Sequence, residues 1–391
     1  MEEIRVRISL SIKELCKQVE IGELDIFKSF ETMDKLVKSS LSELQVSLKN
    51  QISPNSYCFV VFGSPARKAM LPNSDLDIAV VFVEDVSQKQ RKIVFNAIGT
   101  LPFDKIDILD WNYNLEFDSS RNMLDISKSF DTKCVAGNNK IFAKYYNQLN
   151  PDQKHIEQGH ILIGNHFIFH KWNYLSKYSP EAGENLKYSF GSARDTIFLD
   201  WYANFNQAPE TEKPRFQDGL DVCLKNKLID NFEEYSQILW AIKLLYLIKT
   251  MALDLSHQLK NNEVLTLNSK NVVIYWEKSK KALQKLDIGS LLEFEEKYYQ
   301  ARKLLWNLVE KIVTDVEIKL PPDTNQWRQD VKLAILEETS QEKLVKIMSK
   351  NLQNTEYQYI FRIISTRKNL SEEIKELLKI SILEEKYKIK L

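Results

Sequence analysis

Gly63-Ser64-Pro65-Ala66-Arg67, followed by Pro72-Asn73-Ser74-Asp75-Leu76-Asp77, is the stretch that decides the reading of this chain. Just before it, Tyr57 to Phe62 is an unbroken apolar run rich in β-branched and aromatic residues. That composition predicts a strand buried on both faces. The strand ends in Gly63-Ser64, where small side chains let backbone N–H groups approach phosphate oxygens closely. A short helical stretch after this bend would point its positive end at the same spot. A second strand over 75–83 then carries Asp75 and Asp77 on one face, because strand side chains alternate with a period of two. Two carboxylates beside a phosphate-binding bend suit Mg²⁺, a hard cation that prefers carboxylate and phosphate oxygens. Two such ions can clamp the attacking and leaving oxygens of an in-line displacement, a reaction that needs positioning and charge neutralisation more than covalent help.

A third carboxylate should come from a neighbouring strand. Lys105 to Leu109 reads as that strand, and Asp107 sits mid-strand between Ile106 and Ile108. It would complete the metal set and could accept the proton of the attacking hydroxyl. Asp110 is the rival, on the opposite strand face and near the strand end. Upstream, Ile26, Phe27, Phe30, Met33, Val37, Leu41, Leu44 and Leu48 recur in steps of three and four, one face of a helix within 22–49. Residues 87–98 read as an exposed helix with Ser87 as its N-cap. Helix, strand, turn, strand, helix, strand makes a compact α/β unit.

Beyond residue 125 the pattern turns helical. Ile161 to Tyr178, Arg194 to Phe205, Phe232 to Leu253 and Leu291 to Val313 show helical spacing of apolar and aromatic residues. Leu320-Pro321-Pro322-Asp323 reads as a linker. Thr339-x-x-Glu342 looks like a capping box opening a further helix, and 341–349 loosely resembles 371–384. The expected architecture is α+β: a small mixed β-sheet domain with flanking helices, then a helical bundle and C-terminal helices. The expected domains are 1–125, 126–318 and 323–391, the last a candidate for partner recognition.

Gly-Ser-x-x-Arg followed by Ser-Asp-x-Asp resembles the signature of the DNA polymerase beta-type nucleotidyltransferase superfamily. The fuller form, with Arg67, Met70, Pro72 and Ser74-Asp75-Leu76-Asp77, is similar to the PII uridylyltransferases and the glutamine-synthetase adenylyltransferases. Asn185-Leu186-Lys187 with Gly191-Ser192-Ala193-Arg194-Asp195 resembles a second element of those enzymes, at the start of their helical domain. Ser192 and Ala193 depart from that pattern and would reshape its turn. The resemblance covers roughly residues 25–315 and implies two Mg²⁺ ions, with Mn²⁺ as a substitute, and an NTP, either UTP or ATP. It adds Arg67, Ser74, Lys187 and Arg194 to Gly63 and Ser64 as nucleotide-binding candidates, the last two as cations closing on the triphosphate. A structural ion pair between Arg194 and Asp195 is the competing reading. The chain has no room for the HD-type hydrolase and ACT domains of the PII enzymes, which argues against PII as target and against built-in removal or glutamine sensing.

Composition narrows the partners. Of 391 residues, 43% are apolar, so the chain can build a sizeable core. Lysine plus arginine equal aspartate plus glutamate at 54 each, leaving no net positive field for long nucleic acid or an anionic membrane. Cys16, Cys58, Cys134 and Cys223 are scattered, which disfavours a zinc ribbon or a disulfide framework. With neither a signal-like h-region nor a long apolar span, the expected location is cytoplasmic. His155, His166 and His170 would share a helical face, but with only Glu157 beside them they read as surface or structural histidines rather than metal ligands. The leading expectation is transfer of UMP or AMP to a hydroxyl of a protein. A small-molecule transferase of the aminoglycoside-modifying kind and an inactive, binding-only relative are the alternatives.

Overall fold

The computed structural model describes residues 2–103, 105–111, 131–149, 184–186, 191–206, 208–209, 211–259, 266–267, 269–318, 330, 333–334, 339–352, 361, 364 and 370–385. The apolar run before Gly63 forms β1 (Tyr57–Phe62), and the acidic stretch leads into β2 (Leu76–Phe82). They pair antiparallel, with Val61 opposite Ile78. β3 (Ile106–Trp111) joins β2 in parallel, and β4 (Thr132–Gly137) joins β1 antiparallel with an irregularity at Phe59/Val60. The result is a mixed four-stranded sheet in the order β3-β2-β1-β4.

Alternation along the strands separates two apolar layers. Tyr57, Phe59 and Val61 of β1 and Leu76, Ile78, Val80 and Phe82 of β2 face α1 (Glu2–Glu20), α2 (Ile26–Leu48) and α3 (Gln88–Ile98), joining Ile8, Met33, Leu41 and Val94 in one core. Cys58, Val60, Phe62, Ala79 and Val81 face the other way and pack with Ile141 of α4 (Asn139–Leu149). Each large apolar side chain so buried contributes about 1.5–3 kcal/mol relative to exposure. Helix starts follow local chemistry. Asp25 accepts from the Phe27 N–H at 2.9 Å, and Ser87 with Gln90 forms a capping box.

The helical part contains α5 (Thr196–Phe205), α6 (Arg215–Lys225), α7 (Phe232–Leu259), α8 (Ser269–Gln284) and α9 (Leu291–Ile318). An aromatic cluster ties it to α2. Phe30 meets Tyr246 edge-on at 4.9 Å, and Phe216 stacks on Tyr246 at 5.9 Å. The described residues up to Ile312 form one compact unit and those from Val313 onward a second. In the second unit, α10 (Gln341–Asn351) and α11 (Glu372–Glu385) bury Leu344, Met348, Ile374 and Leu378 together. The N-cap of α10 is Ser340 rather than the expected Thr339. The expected helix from Ile161 to Tyr178 lies outside the described residues. Among the described residues, no helix is long and apolar enough to cross a membrane.

Candidate active site

The site begins where β1 runs out. Gly63 adopts φ +67°, a left-handed conformation that residues bearing a Cβ rarely take. A Cβ placed there would sit 3.0 Å from Oδ2 of Asp77, so the glycine lets the bend lie directly against that carboxylate. Residues 64–68 form a turn, not the short helix expected from the sequence. The positive φ of Lys68 (55°) stops a helix from propagating. The turn is held by hydrogen bonds from Arg67 N–H to the Gly63 carbonyl (3.1 Å) and from Ala69 N–H to the Ser64 carbonyl (2.9 Å). With no helix to supply a dipole, any attraction for phosphate must come from the turn's own amides and side chains.

The acidic residues follow. Asp75 and Ser74 are half-buried in the approach to β2, and Asp77 is the second residue of that strand. Leu76 and Ile78 point into the α1/α2 core, so Asp77 lies on the opposite face, above Ala79 and Val81. The parallel ladder pairs Asp77 with Asp107 and Val80 with Asp110. Paired positions in a ladder share a face, so Asp107 is placed beside Asp77 while Asp110 belongs to the other side of the sheet. The Asp107 side chain is outside the described part of the structure, and among the described residues no three His, Cys, Asp or Glu side chains stand together as a metal group. The turn before Asp75 is anchored from behind. Asn73, at φ +59°, donates from Nδ2 to Asp254 Oδ1 of α7 (3.2 Å) and to Cys16 Sγ of α1 (3.3 Å).

Arg67 reaches Asp131, just before β4, and Asp200 of α5. Its Nη1 donates to Asp131 Oδ2 at 2.5 Å, and its Nε lies 2.9 Å from Asp200 Oδ2 without hydrogen-bond alignment. Trp201 Nε1 donates to the same Asp131 oxygen at 3.0 Å. Burial pushes the Asp200 carboxyl well above the usual carboxylate range, against the pull of Arg67. Burial also raises Asp131, opposed by Arg67 and by the Trp201 N–H. Sequence reasoning missed Asp131, Asp200 and Trp201. The available signal was an acid inside the otherwise apolar run Ile197-Phe198-Leu199-Asp200-Trp201 of α5, a position that demands a partner.

In the second motif, Gly191 adopts φ +70°, and Asp195 accepts from the Gly191 and Ser192 N–H groups at 2.6 and 3.2 Å, capping its own turn. Arg194 is half-buried in that turn. Lys187 lies outside the described residues, as do His155, His166 and His170.

Comparison with known families bears on the same segment. Residues 43–128 match the family model described as polymerase beta, nucleotidyltransferase. The matched stretch holds β1, the Gly63 bend, Asp75, Asp77 and Asp107. No curated protein matches the chain.

Proposed function

We propose that this chain, whose residues 43–128 match the polymerase beta nucleotidyltransferase family model, uses an NTP to move UMP or AMP onto a side-chain hydroxyl of another protein. The observation that carries the site assignment is the register of Asp107 with Asp77, on the face where Gly63 packs against the Asp77 carboxylate. The donor set fits the metal that such a reaction requires, since all three are carboxylates, with Asp77 and Asp107 in register on adjacent strands and Asp75 in the lead-in to β2. Bound to these three, Mg²⁺ would neutralise the polyphosphate and align the entering and departing oxygens.

The chain's own residues divide the remaining work. Gly63 and Ser64 form a small-residue bend against which phosphate oxygens can lie. Ser74 leads into the carboxylate pair, and Asn73 fixes that lead-in to α1 and α7. Asp107 is the group suited to take the proton of the attacking hydroxyl. Lys187 and Arg194 are proposed to meet the triphosphate from the helical side. Residues 323–391 are proposed to recognise the acceptor. Support for a protein acceptor is the likeness of residues 185–195 to an element of protein-modifying nucleotidyltransferases.

Purified protein incubated with each labelled NTP, Mg²⁺ and cell lysate tests the reading. Label should enter a protein band, with UTP or ATP as donor, and Asp77→Ala should abolish it. Label confined to small molecules would overturn the acceptor class, and transfer that survives Asp77→Ala would overturn the site.

A further inference from the structure

We propose that Arg67 and Asp131 are positioning residues, a buried ion pair that holds the Gly63–Ser64 bend in its phosphate-accepting shape, and that Arg67 is not a contact to the nucleotide. The inference rests on the transfer reaction proposed at that bend. It departs from the assignment of Arg67 to nucleotide binding that the sequence motif suggests.

The hydrogen bonds close a ring around the bend. Gly63 N–H donates to the main-chain carbonyl of Asp131 at 3.2 Å, and Arg67 N–H donates to the carbonyl of Gly63 at 3.1 Å. The Arg67 guanidinium then returns to the carboxylate of the same Asp131. Asp131 thus holds the first residue of the bend through its backbone and the last through its side chain. Arg215 N–H donates to the Arg67 carbonyl at 3.0 Å, and Trp201 Nε1 steadies the Asp131 carboxylate, so α5 and α6 brace the ring from outside. Because Gly63 abuts Asp77, a shift in the ring reaches the metal-holding carboxylate directly.

Charge balance keeps Arg67 where it is. Asp131 and Asp200 are both buried, and Asp200 is fully so. The groups that face Asp200 are Arg67, Asp131, Arg215, Asp218 and Tyr246. The Arg215 guanidinium is already engaged by Asn204, Asp218 and the carbonyls of Ala208 and Pro209. Swinging Arg67 out to a phosphate would leave the buried Asp131 carboxylate without its paired cation, a strongly destabilising change. One guanidinium between two buried acids is therefore best matched when Asp200 keeps its proton and Arg67 pairs with Asp131.

The test uses the full chain, Mg²⁺ and a fluorescent non-hydrolysable NTP analogue, with circular dichroism to verify folding. Arg67→Gln and Asp131→Asn should each weaken binding about tenfold or more, the scale of one lost charge-assisted bond. The double variant should bind no worse than the weaker single one, because both changes break one ring. Arg67→Lys, which restores a single bond to Asp131, should recover part of the affinity. Trp201→Phe keeps an aromatic ring in the same pocket but deletes the N–H, at the cost of a smaller side chain. It should weaken binding several-fold, and it leaves the ion pair in place should the charge variants fail to fold. Wild-type affinity in Asp131→Asn and Trp201→Phe beside a large loss in Arg67→Gln would make Arg67 a direct nucleotide contact and overturn the inference. Independent, additive losses would also overturn it. A wild-type protein that binds no NTP would instead remove the proposed reaction.

Discussion

Replacing Gly63 by alanine separates the cost of backbone strain from the cost of disturbing the acids. At φ +67° an alanine pays about 1–2 kcal/mol for its left-handed conformation. For a chain of this size that lowers the melting temperature by about 1–3 °C, well short of unfolding. The new methyl also stands 3.0 Å from Asp77 Oδ2, so the carboxylate must retreat by a few tenths of an ångström. Displacement of a reacting group by ~1 Å costs about a hundredfold in rate, so a retreat of this size should cost roughly three- to sixfold. Three assays apply: melting by calorimetry, Mn²⁺ affinity by electron paramagnetic resonance, and label transfer from NTP. The expected pattern is a small stability loss with a disproportionate loss of metal affinity and transfer. Wild-type metal affinity and transfer in a Gly63→Ala protein melting a few degrees low would refute the idea that this bend seats Asp77.

Gly191→Ala should behave oppositely, since its Cβ would lie 2.1 Å from the Arg302 carbonyl oxygen in a left-handed turn. A melting temperature within a few degrees of wild type would contradict that packing. Asp200→Asn tests the buried acid through pH. The folded-state value of Asp200 is raised, so its contribution is complete below the ordinary carboxylate range and is lost as pH climbs through the folded value. An asparagine cannot ionise, so the variant should gain on wild type as pH rises, with a slope of at most about 1.4 kcal/mol per pH unit. A pH-independent difference in melting temperature would count against it. Asp107→Asn should abolish transfer, whereas Asp110→Asn, on the opposite sheet face, should retain most of it. Equal losses would undo the register assignment.

Much of the sheet-bearing part is legible in the sequence because its signals are local. β1 follows from an uninterrupted apolar run. The helix at Gln88–Ile98 follows from Ser87 and its capping partner Gln90, and the helix at Ile26–Leu48 follows from its three- and four-residue spacing. The helix at Glu2–Glu20 carries the same kind of spacing at Ile8, Ile12, Leu15 and Val19, yet the sequence reading starts after it. β4 gives almost no signal, because Thr132-Lys133-Cys134-Val135-Ala136-Gly137 is a half-buried edge strand with a lysine and a glycine in six residues. The two-residue spacing of Asp75 and Asp77 predicts one strand face for both, but β2 starts at Leu76 and only Asp77 lies in the strand. The pairing of Asp107 with Asp77 depends on strand order, which no local pattern encodes. The Arg67 ring is beyond sequence reasoning for the same reason, since Arg67, Asp131 and Asp200 meet only after the helical segment docks. The turn at 64–68 shows the reverse error, where helix-compatible residues are overruled by a left-handed lysine.

Anomalous diffraction from a crystal grown with Mn²⁺ and a non-hydrolysable nucleoside triphosphate bears most directly on the account. Manganese peaks should lie between Asp75, Asp77 and Asp107, with the triphosphate along Gly63 and Ser64. Manganese bound elsewhere, or a triphosphate held with these three carboxylates left out of the metal's coordination, would contradict it.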